Sequence, residues 1–176
     1  MSETPYYISL EEAINITHKS PLSIETEQVS LDQAHGRILA TDLSSKVNDP
    51  PFDNSAMDGF AVRFEDTNSA PTTLSVVATS QAAASDDTIS ISTGEAVQIM
   101  TGAPLPRGAD AIIPIEACTV DGDSVTLNQP SKPNFIRRCG ENIKQGVVGL
   151  KEGNHLSPQS VSMCATMGYD QIPVVK

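Results

Sequence analysis

Apolar and polar residues follow two different periods along this chain. Residues 9–19, SLEEAINITHK, place Leu10, Ala13, Ile14 and Ile16–Thr17 in a one-sided apolar stripe. Ser9 and Glu12 have the S-x-x-E form of a capping box, so the spacing predicts a helix closed by Pro21. The period then shortens. Residues 24–30 alternate as a half-buried strand, 31–35 form a helical turn stopped by Gly36, and 38–41 read as a second short strand. From about 60 to 130 short β runs sit between turns: 60–63, 74–79, 96–100, 111–115, 117–120 and 124–128. Asp121-Gly122 between the last two signals a hairpin, and such a series suggests a small β-barrel or sandwich. Residues 135–138 are strand-like. Ser157-Pro158 supplies an N-cap and a first-turn proline for a helix at about 158–167, ended by Gly168. The run 171–175 reads as an apolar strand with no sheet of its own to close, as at a truncation or a domain boundary.

Two stretches break both periods. Residues 49–59, DPPFDNSAMDG, and 100–110, MTGAPLPRGAD, are turn-rich loops between predicted strands. A third, QAAASDD at 81–87, reads as an exposed polar connection.

Composition narrows the function classes. With 176 residues and 39% hydrophobic content the chain is one large domain or two small ones. Its net charge of -11 argues against non-specific binding to nucleic acid or anionic membranes. That charge is uneven: residues 1–131 carry -14, whereas 132–151, with Lys132, Arg137, Arg138, Lys144 and Lys151, carry +4. A basic island in an acidic chain marks either an anion site or a solvated loop. Cys118, Cys139 and Cys164 lack CxxC spacing and read as reduced, cytoplasmic thiols. No apolar run approaches the ~20 residues of a membrane span, and MSETPYYISLEE lacks the layout of a secretory signal.

The candidate chemistry lies in the loops. Asp53, Asn54, Ser55 and Asp58 offer carboxylates for Mg²⁺ or for orienting an attacking oxygen; equally, such Asx and Ser side chains cap their own backbone. Thr101 and Gly102 offer a hydroxyl and bare backbone N–H groups for an anion, or form an ordinary crossover. Arg137 and Arg138 suit a phosphate or another oxyanion. No Ser-His-Asp order, P-loop or GxGxxG occurs, and His18, His35 and His155 are widely separated.

Taken in order, PPFDNSAMDGFAVR, IMTGAPLPRGADAIIPIE and IRRCGENIKQG resemble the N-terminal part of MoeA-type molybdopterin molybdotransferases, the family that includes the E region of gephyrin. The resemblance runs from ISLEEA to GYDQIPVVK. It implies a mixed α+β, mainly β fold: an elongated α/β subdomain from residues 1–50 and 138–176, with a small β-barrel-like subdomain inserted at 51–137. It further implies a cytoplasmic homodimer that inserts molybdenum from molybdate into adenylylated molybdopterin with Mg²⁺. Asp58 matches a family acid tied to metal insertion and adenylate hydrolysis. Thr101 matches a hydroxyl facing the same cleft, and Asp53, Asn54 and Ser55 match the loop that shapes it. Arg137 and Arg138 stand before the family's glycine-acid pair, where they are expected to meet phosphate or molybdate, as is Gly102. Mg²⁺ is expected on the 53–58 carboxylates, Asp58 above all. Two positions depart from the family pattern: Asn142 replaces an acid, and Phe60 stands where Tyr is common. The family's pterin-binding domain, with its STGDEL-like motif, lies outside this sequence. The resemblance therefore implies one wall of a cleft that is inactive alone, or else a non-catalytic dimerisation or docking module.

Overall fold

The computed structural model describes residues 7–19, 24–82, 89–130 and 134–176. Its elements in chain order are α1 (Leu10–Lys19), β1 (Thr26–Ser30), β2 (Leu43–Ser44), β3 (Asn54–Ser55), β4 (Gly59–Val62), β5 (Thr72–Ser80), β6 (Glu95–Ile99), β7 (Ala111–Pro114), β8 (Cys118–Asp121), β9 (Ser124–Leu127), β10 (Ile136–Arg137), β11 (Val148–Leu150), α2 (Pro158–Thr166) and β12 (Gln171–Val175). The fold is mainly β with two helices. Pro21, Lys132 and most of the 81–87 connection lie outside the described residues.

Six strands form a curled half-barrel sheet in the order β7-β4-β6-β5-β9-β8, built wholly from residues 59–127. Only the β5–β6 pair is parallel. The β8–β9 hairpin turns at Gly122, whose φ of 57° suits the left-handed turn that Asp-Gly predicts. Strand β4 is buried on both faces. Phe60 and Val62 pack with Leu74, Ala111, Ile113, Val125 and Leu127, while Ala61 packs with Ile99, Ala103 and Ile112. That explains why GFAV reads as a continuous apolar run rather than an alternating one.

The second body of structure joins the two ends of the chain. The expectation that 171–175 has no sheet to close is overturned. β12 pairs antiparallel along all of β1, with Ile172 opposite Val29 and Val174 opposite Glu27. Both strands alternate with period two, which puts Val29, Ile172 and Val174 on one buried face. Sequence periodicity reveals such a face but not its distant partner. β2 and β11 form a second small pair. Leu39, Leu43, Leu150, Leu156, Cys164 and Met167 complete this core. The predicted strand at 38–41 is instead two isolated bridges, Ile38 to His155 and Leu39 to Val174, because its backbone is shared between neighbours on both sides. The caps are as the sequence predicts: Ser9 Oγ accepts from Glu12 N at 3.1 Å, and Ser157 Oγ from Ser160 N at 3.2 Å. Helix α1 buries none of its residues, leaving Leu10 and Ile14 exposed.

Candidate functional site

The chain passes between these two bodies twice, near 48–55 and near 136–143, and the passages are tied together. Asp49 N donates to Ile143 O, Gly140 N to Pro50 O, and Asn142 Nδ2 to Asp49 Oδ2 at 2.7 Å. Next along, β3 pairs with β10, Asn54 opposite Arg137 and Ser55 opposite Ile136. The other side of β3 faces the 100–105 loop: Ser55 N donates to Ala103 O, Gly102 N to Ser55 O, and Leu105 N to Asp53 O. The 53–55 segment is thus a three-residue splint, buried at Asn54 and Ser55, between two loops that are far apart in sequence.

This placement settles what its side chains do. Ser55 is fully buried, and its Oγ donates to Met57 O at 2.5 Å while accepting from Met57 N at 3.2 Å. Asn54 is buried too; its Nδ2 donates to Phe52 O, and its Oδ1 is buried without a hydrogen-bond partner. The structure places Asn54 and Ser55 inside the loop rather than on its surface. They shape the loop from inside, as Asx and Ser side chains do when they satisfy their own turn. Gly102 is likewise engaged. Its φ of 81° gives the tight turn, but its N–H is bound at 2.8 Å to Ser55 O rather than held out to an anion.

Asp58 and Thr101 do meet, and both are exposed. Thr101 donates twice to Asp58 Oδ1, from its amide and from its hydroxyl, each at 2.7 Å. The hydroxyl bond, then the amide bond, hold the Asp58 carboxyl below its ordinary value, so it is ionised at neutral pH. The backbone is fixed as well, since Asp58 O accepts from Ile115 N at the end of β7. Because Thr101 gives its hydroxyl proton to the carboxylate, the surface this pair shows to solvent is made of acceptors only. It suits a cation or a hydrogen-bond donor and repels an anion.

The arginines are committed to acids. Arg138 Nη1 lies 2.5 Å from Asp53 Oδ2, and Cys139 N donates to Asp53 Oδ1 at 2.8 Å. Partial burial pushes the Asp53 carboxyl upward, but these two bonds outweigh it and hold the carboxyl below its usual value. Arg137 Nε lies 3.0 Å from Glu141 Oε1, and its Nη2 donates to Asn142 Oδ1 at 3.2 Å. Glu141 also accepts from Arg138 N, and chiefly that bond lowers its carboxyl. Two cations of the island, Arg137 and Arg138, are thus paired with Glu141 within it and Asp53 outside it. An anion reaching Arg137 or Arg138 must compete with Glu141 or Asp53. Glu141 and the Cys139 amide are the participants that sequence reasoning missed; the i, i+4 spacing of Arg137 and Glu141 was the available signal.

Asp53 and Asp58 do not form a shared carboxylate pair, since each is bound to different partners. Among the described residues no three His, Cys, Asp or Glu side chains gather to hold a metal. The donor set does not make a protein-only Mg²⁺ site. It does fit the arrangement Mg²⁺ commonly takes, with one or two carboxylates, waters and substrate phosphates, because Asp58 Oδ2 carries no hydrogen bond from the described residues. Two cavities, of about 230 and 320 Å³, lie elsewhere: one beside Phe135 and Pro114, the other beside Ile38 and Val175. Neither is lined by Asp58 or Thr101, both of which are exposed. No helix among the described residues is long and apolar enough to cross a membrane.

Residues 8–168 match the family model "MoeA N-terminal region (domain I and II)". The chain is 42% identical over 154 residues to the molybdopterin molybdenumtransferase of Haemophilus influenzae, covering 86% of this chain and 38% of that protein. It is 40% identical over 151 residues to molybdopterin molybdenumtransferase 2 of Mycobacterium tuberculosis, covering 84% and 37%. Two crystal structures of molybdopterin biosynthesis MoeA protein from Pyrococcus horikoshii superpose well. One has a TM-score of 0.81 at 37% identity, covering 85% of this chain and 41% of that one. The other has a TM-score of 0.85 at 30% identity, covering 95% and 44%. The chain spans about two-fifths of the length of these relatives.

Proposed function

The chain belongs to the MoeA N-terminal region family, and on that footing we propose that it supplies one wall of the cleft where molybdate is inserted into adenylylated molybdopterin. The observation that carries this reading is the Asp58–Thr101 pair: ionised, fixed from two sides, and exposed. An exposed pair needs a facing wall to exclude water and position a substrate. A second body of protein, from the rest of such an enzyme or from a second copy of the chain, supplies it.

Within that cleft Asp58 holds and orients. Its Oδ1 is saturated by Thr101, which fixes the plane of the carboxylate and directs Oδ2 outward. Thr101 Oγ, its proton committed, accepts from substrate donors. Molybdate and the adenylate phosphate are both anions, and this wall shows them acceptors, so a bridging cation resolves the conflict. Asp58 would hold Mg²⁺ together with substrate phosphate, and the ion would supply charge neutralisation. Self-association through the body that carries α1 accompanies this reading, because Leu10 and Ile14 are apolar and uncovered. The three cysteines are free, in keeping with a reducing cytoplasm.

The test is molybdate- and Mg²⁺-dependent consumption of adenylylated molybdopterin by an enzyme of the relatives' full length carrying this region. Asp58→Asn, which keeps the shape and removes the charge, abolishes turnover. Undiminished turnover overturns the reading. If Asp58→Asn and Thr101→Ala leave turnover intact and abolish only self-association, the region is a docking module instead.

A further inference from the structure

We infer that Asp53 and Arg138 are positioning residues: their ion pair, with the Cys139 amide, locks the 53–55 splint so that Thr101 meets Asp58. The inference rests on Asp58 being the reactive carboxylate of the site proposed above.

The argument is one of connectivity. Asp53 is bound at both ends of one residue. Its carboxylate takes Arg138 Nη1 and Cys139 N from the second passage, across 85 and 86 residues of sequence. Its main-chain carbonyl takes Leu105 N from the loop that carries Thr101. Two residues on, Ser55 repeats the pattern, paired with Ile136 on one side and bound to Gly102 N and Ala103 O on the other. Any slip of the splint against 136–139 moves Asp53 O and Ser55 O, the acceptors that hold Leu105 and Gly102. Gly102 directly follows Thr101, so its shift misplaces the donors to Asp58.

Stability does not account for this ion pair. Its side chains are 57% and 34% exposed, and exposed pairs contribute little to folding. A bidentate use of one carboxylate, one oxygen to a guanidinium and one to a backbone amide, fixes an angle as well as a distance. Removing it loosens a geometry without dissolving a core, since the cores of both bodies contain neither residue.

Amide hydrogen exchange on the 176-residue chain reads this directly. In Asp53→Ala, the amides of Thr101 and Gly102 exchange about tenfold faster or more, while those of β5, β6 and β9 keep their native rates. Asp53→Asn retains an acceptor for Cys139 N but loses the charge that pairs with Arg138, so it gives a smaller acceleration than Asp53→Ala, confined to the same two amides. Unchanged rates at Thr101 and Gly102, or an even acceleration across all strands, overturn the inference. Should Asp53→Ala not fold, Arg138→Ala tests the same point: it keeps the Cys139 bond and gives a smaller acceleration confined to the same two amides, and no acceleration overturns it. The readout needs no turnover, so it stands or falls separately from the proposed reaction. In the full-length enzyme Asp53→Ala lowers kcat more than it raises KM for molybdate.

Discussion

Both donors of Thr101, its amide and its hydroxyl, end on the same oxygen of Asp58, and the other oxygen of that carboxylate takes no hydrogen bond from the described residues. One oxygen is structural and the other is available. Thr101→Val deletes the hydroxyl bond and keeps the amide bond. Because the hydroxyl is the foremost cause of the lowered Asp58 carboxyl, its midpoint rises toward the ordinary value in side-chain NMR titration, and Thr101→Ser restores it. A midpoint that stays put contradicts the geometry.

Backbone approach makes Gly59 far less replaceable than Gly149. A Cβ on Gly59 would lie 2.0 Å from Ile113 O and 2.9 Å from Ile113 C, inside the β4–β7 ladder that leads away from Asp58. A Cβ on Gly149 meets Met167 Sδ at 2.4 Å and Met163 Cε at 2.9 Å, the flexible ends of side chains. Gly59→Ala costs about 3 kcal/mol in denaturant unfolding and Gly149→Ala about 1 kcal/mol. The reverse order refutes this account of the two positions.

Acid sensitivity follows from the carboxylates at the double passage. Asp53, through Cys139 N and Arg138, and Glu141, through Arg138 N and Arg137, have folded-state values below their unfolded ones. Their contribution to stability is therefore complete above the unfolded values, near pH 4, and fades as pH falls through the lower folded values. Thermal midpoints fall along that acid limb, and the fall is shallower in Asp53→Asn and Glu141→Gln. Identical limbs in the variants and the parent would show that these carboxylates do not titrate differently in the folded and unfolded chain.

Thiol chemistry separates the three cysteines. Cys139 is exposed, Cys164 is buried, and burial with Glu116 nearby pushes the Cys118 thiol up to about 11. In the native chain a neutral-pH thiol reagent modifies Cys139 rapidly, while Cys118 and Cys164 wait for unfolding. Fast modification of a second thiol argues against the packing around Cys118 or Cys164.

Local signals carried most of the secondary structure and little of the site. The Ser9 and Ser157 caps, the Asp121-Gly122 hairpin and the buried run at β4 are legible because cause and effect lie within a few residues. Pairing is not: nothing in TEQVS names QIPVV as its partner, and the 38–41 strand dissolved into bridges for the same reason. Asp58 and Thr101 were each readable as candidates, but the bond between them spans 43 residues. The sequence does not show that Arg137 and Arg138 pair with Glu141 and Asp53, because Asp53 lies far away along the chain. Nor does it show that Asn54 and Ser55 are buried, because backbone from two distant loops covers them.

The pairing of β1 with β12 also sets an order of assembly during synthesis. The six-stranded sheet is complete once residue 127 has emerged from the ribosome, and all its partners lie within one contiguous stretch. β1, made long before, has no partner until 171–175 appear, so a segment made early finds its place late. Until then the apolar face of Val29 is exposed in the nascent chain. A stalled or prematurely cleaved product lacking β12 would hold a folded half-barrel attached to an unpaired strand, the kind of edge on which chains aggregate.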